Sequence, residues 1–251
     1  MKIFLQCAAI FVLSLFGVAS SASAAPLSIN ANVGLQAFVS LSDAHIGATL
    51  NSLVGFSGTA EAKSGAWSTI EGGLRAATHG NVPETVFYAV PSGKYWVVGK
   101  GAQALPIGDR PYFAKVFSGK NAVGDLVIGR STGAAVAIVA VPVRGENGTV
   151  TGLVGAAIDL SQLNAMLIRE LGLSAGMLFW ATDAHGITAL HSDKANIMNN
   201  AMKDPFIAKT LRKMIATPSG QETYKFRNIT RTVLYRHSSL TGWTYGFGII
   251  H

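Results

Sequence analysis

Two long apolar runs, residues 134–143 and 150–158, dominate the pattern of the chain. Both are rich in Val, Ile and small residues, and neither alternates with polar positions. Between them lies Arg144-Gly145-Glu146-Asn147-Gly148, whose Asn-Gly pair readily takes the positive-φ geometry of a hairpin turn. The pattern predicts two adjacent strands covered on both faces. Upstream, Leu35, Phe38, Val39, Leu41, Ile46, Leu50, Leu53 and Val54 recur at threes and fours. That spacing predicts helix over residues 27–77, lying across the sheet as a scaffold. Ser42-Asp43 or Ser57-Gly58 would interrupt it, and a second helical piece over 67–76 would carry Trp67, Ile70 and Leu74 on one side. A hairpin follows, with strands 86–90 and 95–98 around Pro91-Ser92-Gly93-Lys94. Pro111 suits the first position of a short helical segment, 111–117, with Asp109 or Arg110 ahead of it.

After Ile158, Asp159 and Ser161 are placed to cap a helix that runs to about Leu171. Gly172 and Gly176 end it, and a second, smaller cycle begins. It comprises a strand over 177–181, a turn at Asp183-Ala184-His185-Gly186 and a returning strand over 187–191. A helix over 204–215 follows, with Phe206, Ile207, Leu211 and Met214 inward, and then strands over 222–226, 231–235 and 243–250. The expected fold class is α+β, a long N-terminal helix followed by two domains with antiparallel sheets that meet near residue 165.

Composition narrows the picture. The 251 residues are 49% hydrophobic and 13% charged, so the chain can bury a core and is not globally disordered. The formal charge is +7, spread without a dense Lys/Arg block. No nucleic-acid partner is expected from this dispersion, which favours small anions or lipid headgroups instead. Lys2, the apolar run 3–18 and Ala22-Ser23-Ala24 have the three parts of a secretory signal, cleaved after Ala24. The division is then 1–24 signal, 25–165 first domain with the long helix, and 166–251 second domain. The rival reading is an uncleaved anchor in the inner membrane, for which the apolar run is shorter than the roughly 20 residues a span needs. Cys7 is the one cysteine and would leave with the signal. The mature chain would have no disulfide and no thiolate site. No second span is apparent, and no appended output domain is expected.

Several short segments together resemble the double Cache family of extracellular sensor domains. Asp109-Arg110-Pro111-Tyr112-Phe113, Gly129-Arg130-Ser131-Thr132-Gly133, Pro142-Val143 and the run 152–160 match its membrane-distal half. Asp183-Ala184-His185-Gly186, His191-Ser192-Asp193 and Thr241-Gly242-Trp243 stand where the membrane-proximal half has its turn, strand end and last strand. The resemblance covers nearly all of the mature chain. It implies a PAS-like pair of domains on a long helix, exported to the periplasm and binding a small metabolite in the first domain. Such modules usually precede a transmembrane helix and a chemoreceptor, kinase or cyclic-dinucleotide output domain. Here a free-standing periplasmic version is expected, acting through a membrane-bound receptor or kinase. Pairing of two copies through the long helix is a further expectation.

In the family an Arg followed by an aromatic pair lines the pocket. Those positions map to Arg110, Tyr112 and Phe113. The chemistry suits the role, because a guanidinium gives a carboxylate two parallel charge-assisted bonds and aromatic rings exclude water. The plainer reading makes Arg110 a turn residue and the rings core. Arg130, Ser131 and Thr132 follow a strand and offer further donors, or else form an exposed loop. Amino-acid-binding members carry an Asp for the ligand ammonium at the place of Ala157 here. Asp159, two residues on, is better read as a helix cap. Without an anionic partner a buried ammonium is unfavourable, so the expected ligand is a small carboxylate or similar anion. No cofactor is expected. Asp183, His185, His191 and Asp193 have no zinc or calcium spacing. The alternative functions are a hydrolase-like enzyme with His185 or His191 as base, lacking an evident nucleophile set, and an envelope-interaction protein with no small ligand.

Overall fold

A computed structural model describes residues 30–173 and 177–250. The expected signal peptide and Cys7 lie outside the described residues. Ser57-Gly58, not Ser42-Asp43, interrupts the helical region. Helix α1 spans Ala31–Ser57, capped by the Asn30 side chain on the Asn32 amide, and Gly58 ends it. One short turn, α2 (Ala60–Lys63), and helix α3 (Trp67–Ala77) follow. Ser42 stays helical because it is buried, with its hydroxyl 2.8 Å from the Tyr245 phenol.

The first sheet then forms. Strands β1 (Glu84–Ala89), β2 (Tyr95–Val97) and β3 (Gly101–Ala102) precede helix α4 (Pro111–Phe117). Strands β4 (Ala122–Ile128), β5 (Ala135–Arg144) and β6 (Val150–Asp159) complete it in the order β3-β2-β1-β6-β5-β4. All its pairings are antiparallel. The sheet is apolar on both faces because it is sandwiched. Val86, Tyr88, Val139, Val141, Val154 and Ile158 pack towards α1 and α3. Phe87, Ala89, Val136, Ile138 and Leu153 pack on the other face with Tyr112, Phe113 and Val116 of α4. This alternation on paired strands is why neither run shows a polar period.

Asp159 caps helix α5 (Leu160–Glu170) by accepting the Gln162 amide at 3.0 Å. The second sheet contains β7 (Met177–Thr182), β8 (Thr188–His191), β9 (Ser219–Phe226), β10 (Ile229–His237) and β11 (Thr244–Ile250), ordered β8-β7-β11-β10-β9. Helix α6 is shorter than its expected range and spans Ala208–Ala216. Leu211 and Met214 point inward as expected, but Phe206 is 56% exposed. Pro205 and the Asp204 carboxylate, which accepts the Phe206 amide at 2.8 Å, hold this stretch outside the helix.

Helix α1 serves both sheets. Phe38 meets Phe179 and Tyr245 edge-on at 5.2 and 5.1 Å. The Ser238 hydroxyl donates one bifurcated hydrogen bond to the Asp43 carboxylate, whose oxygens lie 2.8 and 2.9 Å away. Further along, Thr49 donates to Glu84 at 2.7 Å. A second link joins the sheets directly. The Trp243 indole N–H donates to the Gly124 carbonyl at 2.9 Å in a buried contact. No described helix is long and apolar enough to cross a membrane.

Candidate functional site

On the α4 side of the first sheet, strands, a loop and a turn enclose a small cavity of about 30 Å³. Its floor is Thr85 and Phe87 of β1, Ile138 of β5 and Ala157 of β6. Thr85 and Ala157 are direct partners across the β1–β6 ladder. The Phe87 ring lies over Gly155, where a Cβ would come within 2.4 Å of it, so glycine there lets the ring lie flat on β6. Tyr95 and Tyr112 wall the cavity, with ring centroids 6.2 and 6.4 Å from Phe87. Ile107, Arg110, Val127, Gly129, Arg130 and Ser131 form its rim.

The sequence candidates divide here. Arg110, Tyr112, Arg130 and Ser131 come together at the cavity. Phe113 is placed elsewhere. Its ring is buried against Phe117, with centroids 4.5 Å apart, so it serves as core. Thr132 is a turn residue whose hydroxyl accepts the Ala134 amide at 3.2 Å. Tyr95, Thr85, Phe87 and Ile107 were not among the candidates. Alternation along β1 puts Thr85 and Phe87 on one face, and Tyr95 reaches it by pairing with Ala89.

The two arginines are held differently. Arg130 makes a bidentate ion pair with Asp109 at 2.9 and 2.7 Å and also donates to the Pro106 carbonyl. This clamps the 103–110 loop against the turn after β4. Asp109 is therefore a partner of Arg130, and Arg110 is the α4 N-cap position without a side-chain cap bond. Asp109 is held below the usual carboxylate range by the Arg130 hydrogen bonds. Arg110 donates to the Ile128 carbonyl at 3.1 Å and forms no ion pair among the described residues. Burial pushes the Tyr112 phenol well up, with the Arg110 charge opposing it, so Tyr112 faces the cavity as a neutral hydroxyl. Tyr95 is raised by burial too, against the pull of Ser131 and both guanidinium groups.

The lining thus contains two cations, two phenols and two small hydroxyls, and no carboxylate. Such a set offers donors to an anion and nothing to neutralise an ammonium. The size is restrictive. A cavity of this measure needs about 10–15 Å³ per water, so 30 Å³ holds roughly two. A ligand of more than a few heavy atoms requires the 103–110 loop or the 129–134 turn to move outward.

The histidines and acids of the second lobe do not converge. Among the described residues no three His, Cys, Asp or Glu side chains are placed to hold a metal ion. His185 lies on the exposed β7–β8 turn. His191 is half-buried, and its Nδ1 accepts the Asp193 amide at 2.8 Å. Burial lowers its pKa to about 4.

No family model matches the chain, and no curated protein matches it. Solved structures do. A methyl-accepting chemotaxis protein X superposes with a TM-score of 0.71 at 15% identity, over 88% of this chain and 96% of that one. The periplasmic sensory domain of the Campylobacter jejuni chemoreceptor Tlp1 gives 0.66 at 14% identity, over 88% and 92% of the two chains. The chain shares the fold of these chemoreceptor sensory domains. A third structure with this fold is the ligand-binding domain of the Pseudomonas fluorescens chemoreceptor CtaA, in complex with L-isoleucine. It matches with a TM-score of 0.62 at 14% identity, over 87% of this chain and 88% of that one. Within this fold, the arginine-lined cavity of the present chain belongs to the first sheet.

Proposed function

We propose that this protein is an exported sensor module that binds a small carboxylate, or a similar anion, in the cavity of its first lobe. It would pass the signal to a membrane-bound receptor or kinase. The observation that carries the ligand class is the lining, with Arg110 and Arg130 present and no acid among its residues. Ala157 on the floor supports the same reading, because the place that would hold an ammonium carries a methyl group. Arg110 is the principal grip. It has no carboxylate partner, whereas Arg130 is already engaged by Asp109. Tyr95 and Tyr112 would donate their hydroxyls and exclude water, which strengthens the ion pair. The matched structures are sensory domains of chemoreceptors, and this likeness supports a binding role over a catalytic one.

The test is titration calorimetry of the purified protein with short carboxylates and with α-amino acids. Short carboxylates are expected to bind and zwitterionic amino acids to bind at least about tenfold more weakly. Arg110→Ala is expected to abolish the binding. Wild-type affinity in that variant, or a clear preference for amino acids, would overturn the assignment.

A further inference from the structure

The charge of the protein is unevenly distributed. Residues 30–165 contain nine Lys and Arg against eight Asp and Glu, whereas residues 166–250 contain ten against five. Part of the excess lies around one end of the second sheet. There the β9–β10 hairpin turns at Arg227 and Asn228, both with positive φ, and sets Ile229 directly opposite Phe226. The Phe206 ring stands 6.3 Å from Phe226. Arg231 and Arg227 lie over the Phe226 ring at 4.3 and 5.3 Å. Phe206 and Ile229 are 56% and 41% exposed, and Lys203, Lys209, Lys225 and Arg227 around them are exposed as well. Asp204, the neighbouring acid, spends its carboxylate on the Phe206 amide.

The last strand, β11, reaches this pole. Ile250 pairs with Arg231, two residues along β10 from Ile229 of the tip pair. Helix α1 begins elsewhere, towards the opposite end of the same hairpin, where Asn32 and Leu35 lie with Ser219, Gly220 and Arg236. The ligand cavity is in the other lobe.

We propose that this pole is a docking surface for an anionic lipid bilayer. Phe206 and Ile229 enter the headgroup layer, and Lys203, Lys209, Lys225 and Arg227 face the lipid phosphates. The chemistry is that of interfacial binding generally, in which exposed aromatic and aliphatic side chains insert while a basic rim is attracted to negative charge. The patch is independent of the ligand cavity, and its failure would leave the carboxylate reading untouched.

The test is co-sedimentation of the chain from Ala25 onward, which contains every described element, with vesicles. One set holds equal parts phosphatidylglycerol and phosphatidylcholine, the other phosphatidylcholine alone. Binding is expected to the first set only, with release in about 0.5 M salt. Lys225→Glu with Arg227→Glu is expected to weaken binding by about fivefold or more for each charge lost. Phe206→Ser with Ile229→Ser is expected to weaken it while leaving the circular dichroism spectrum unchanged. Failure to sediment with the anionic vesicles overturns the proposal, even if the patch captures a soluble acidic protein. Binding that neither pair of substitutions changes overturns it too.

Discussion

Ala157 and Arg110 set the sign of the cavity. Ala157→Asp puts a carboxylate on a floor that has none, and is expected to weaken anion binding at least about tenfold, ~1.4 kcal/mol. Calorimetry with a carboxylate that binds the wild type checks this, and equal affinity would place the ligand elsewhere. A second residue governs acid stability. His191 is neutral in the fold, because burial lowers it from 6.5 to about 4, with Asp193 opposing and Arg231 adding to the effect. As pH falls from about 6.5 to about 4 the unfolded chain takes up a proton that the folded chain refuses. Stability is lost through that window, by up to about 3 kcal/mol, and the loss levels off below it. His191→Asn keeps an acceptor for the Asp193 amide and cannot titrate. In urea unfolding the wild type should lose about 3 kcal/mol against this variant between pH 6.5 and 4. A constant difference would mean that the ring is not buried neutral. Arg110, Tyr112, Arg130 and Ser131 could be picked out as candidates because they sit in two short polar segments, the first of them carrying an aromatic pair. Tyr95 and Thr85 were not, since strand pairing rather than local pattern brings them to the site.

Among the elements, β4 has a feature that local sequence does not reveal. Its register against β5 shifts between Val123 and Asp125, leaving Gly124 as an extra residue with φ +84°. That bulge turns the Gly124 carbonyl towards Trp243 in the second lobe. Gly124→Ala forces a side chain into an unfavourable φ and to within 3.0 Å of Thr241 and Trp243. A loss of about 1–2 kcal/mol from backbone strain alone is expected. Trp243→Phe leaves a buried carbonyl unpaired and is expected to lose about 1–3 kcal/mol for that bond. The double variant should lose less than the sum of the two in urea unfolding, because both act on one contact. Full additivity would dissociate the bulge from the indole. The hairpins and α1 were readable from period and turn chemistry. The choice between the two possible breaks in α1 was not, because Ser42 and Asp43 find partners 203 and 195 residues away. Phe206 had helical spacing, yet an Asx turn and Pro205 kept it outside the helix.

Across the whole molecule, one continuous core joins the lobes. Phe38, Val139 and Val154 belong to the same buried cluster as Phe179, Tyr245 and Phe247. Unfolding is therefore expected to be a single transition, coincident by tryptophan fluorescence and far-ultraviolet circular dichroism. Two separated transitions would mean that the lobes are energetically independent. The two-sheet architecture was foreseeable from the repeated order of elements. This continuity was not, because it depends on which residues of α1 meet which sheet. The helix also has a mechanical consequence. Its 27 residues make a rod about 40 Å long, bonded to Ser238 through Asp43 at its middle and to Glu84 through Thr49 about two turns before its end. A stiff rod gripped at two stations transmits sliding rather than bending. Any tilt of the first sheet on closing around a ligand would thus arrive at Asn30 as a push or pull along the helix axis.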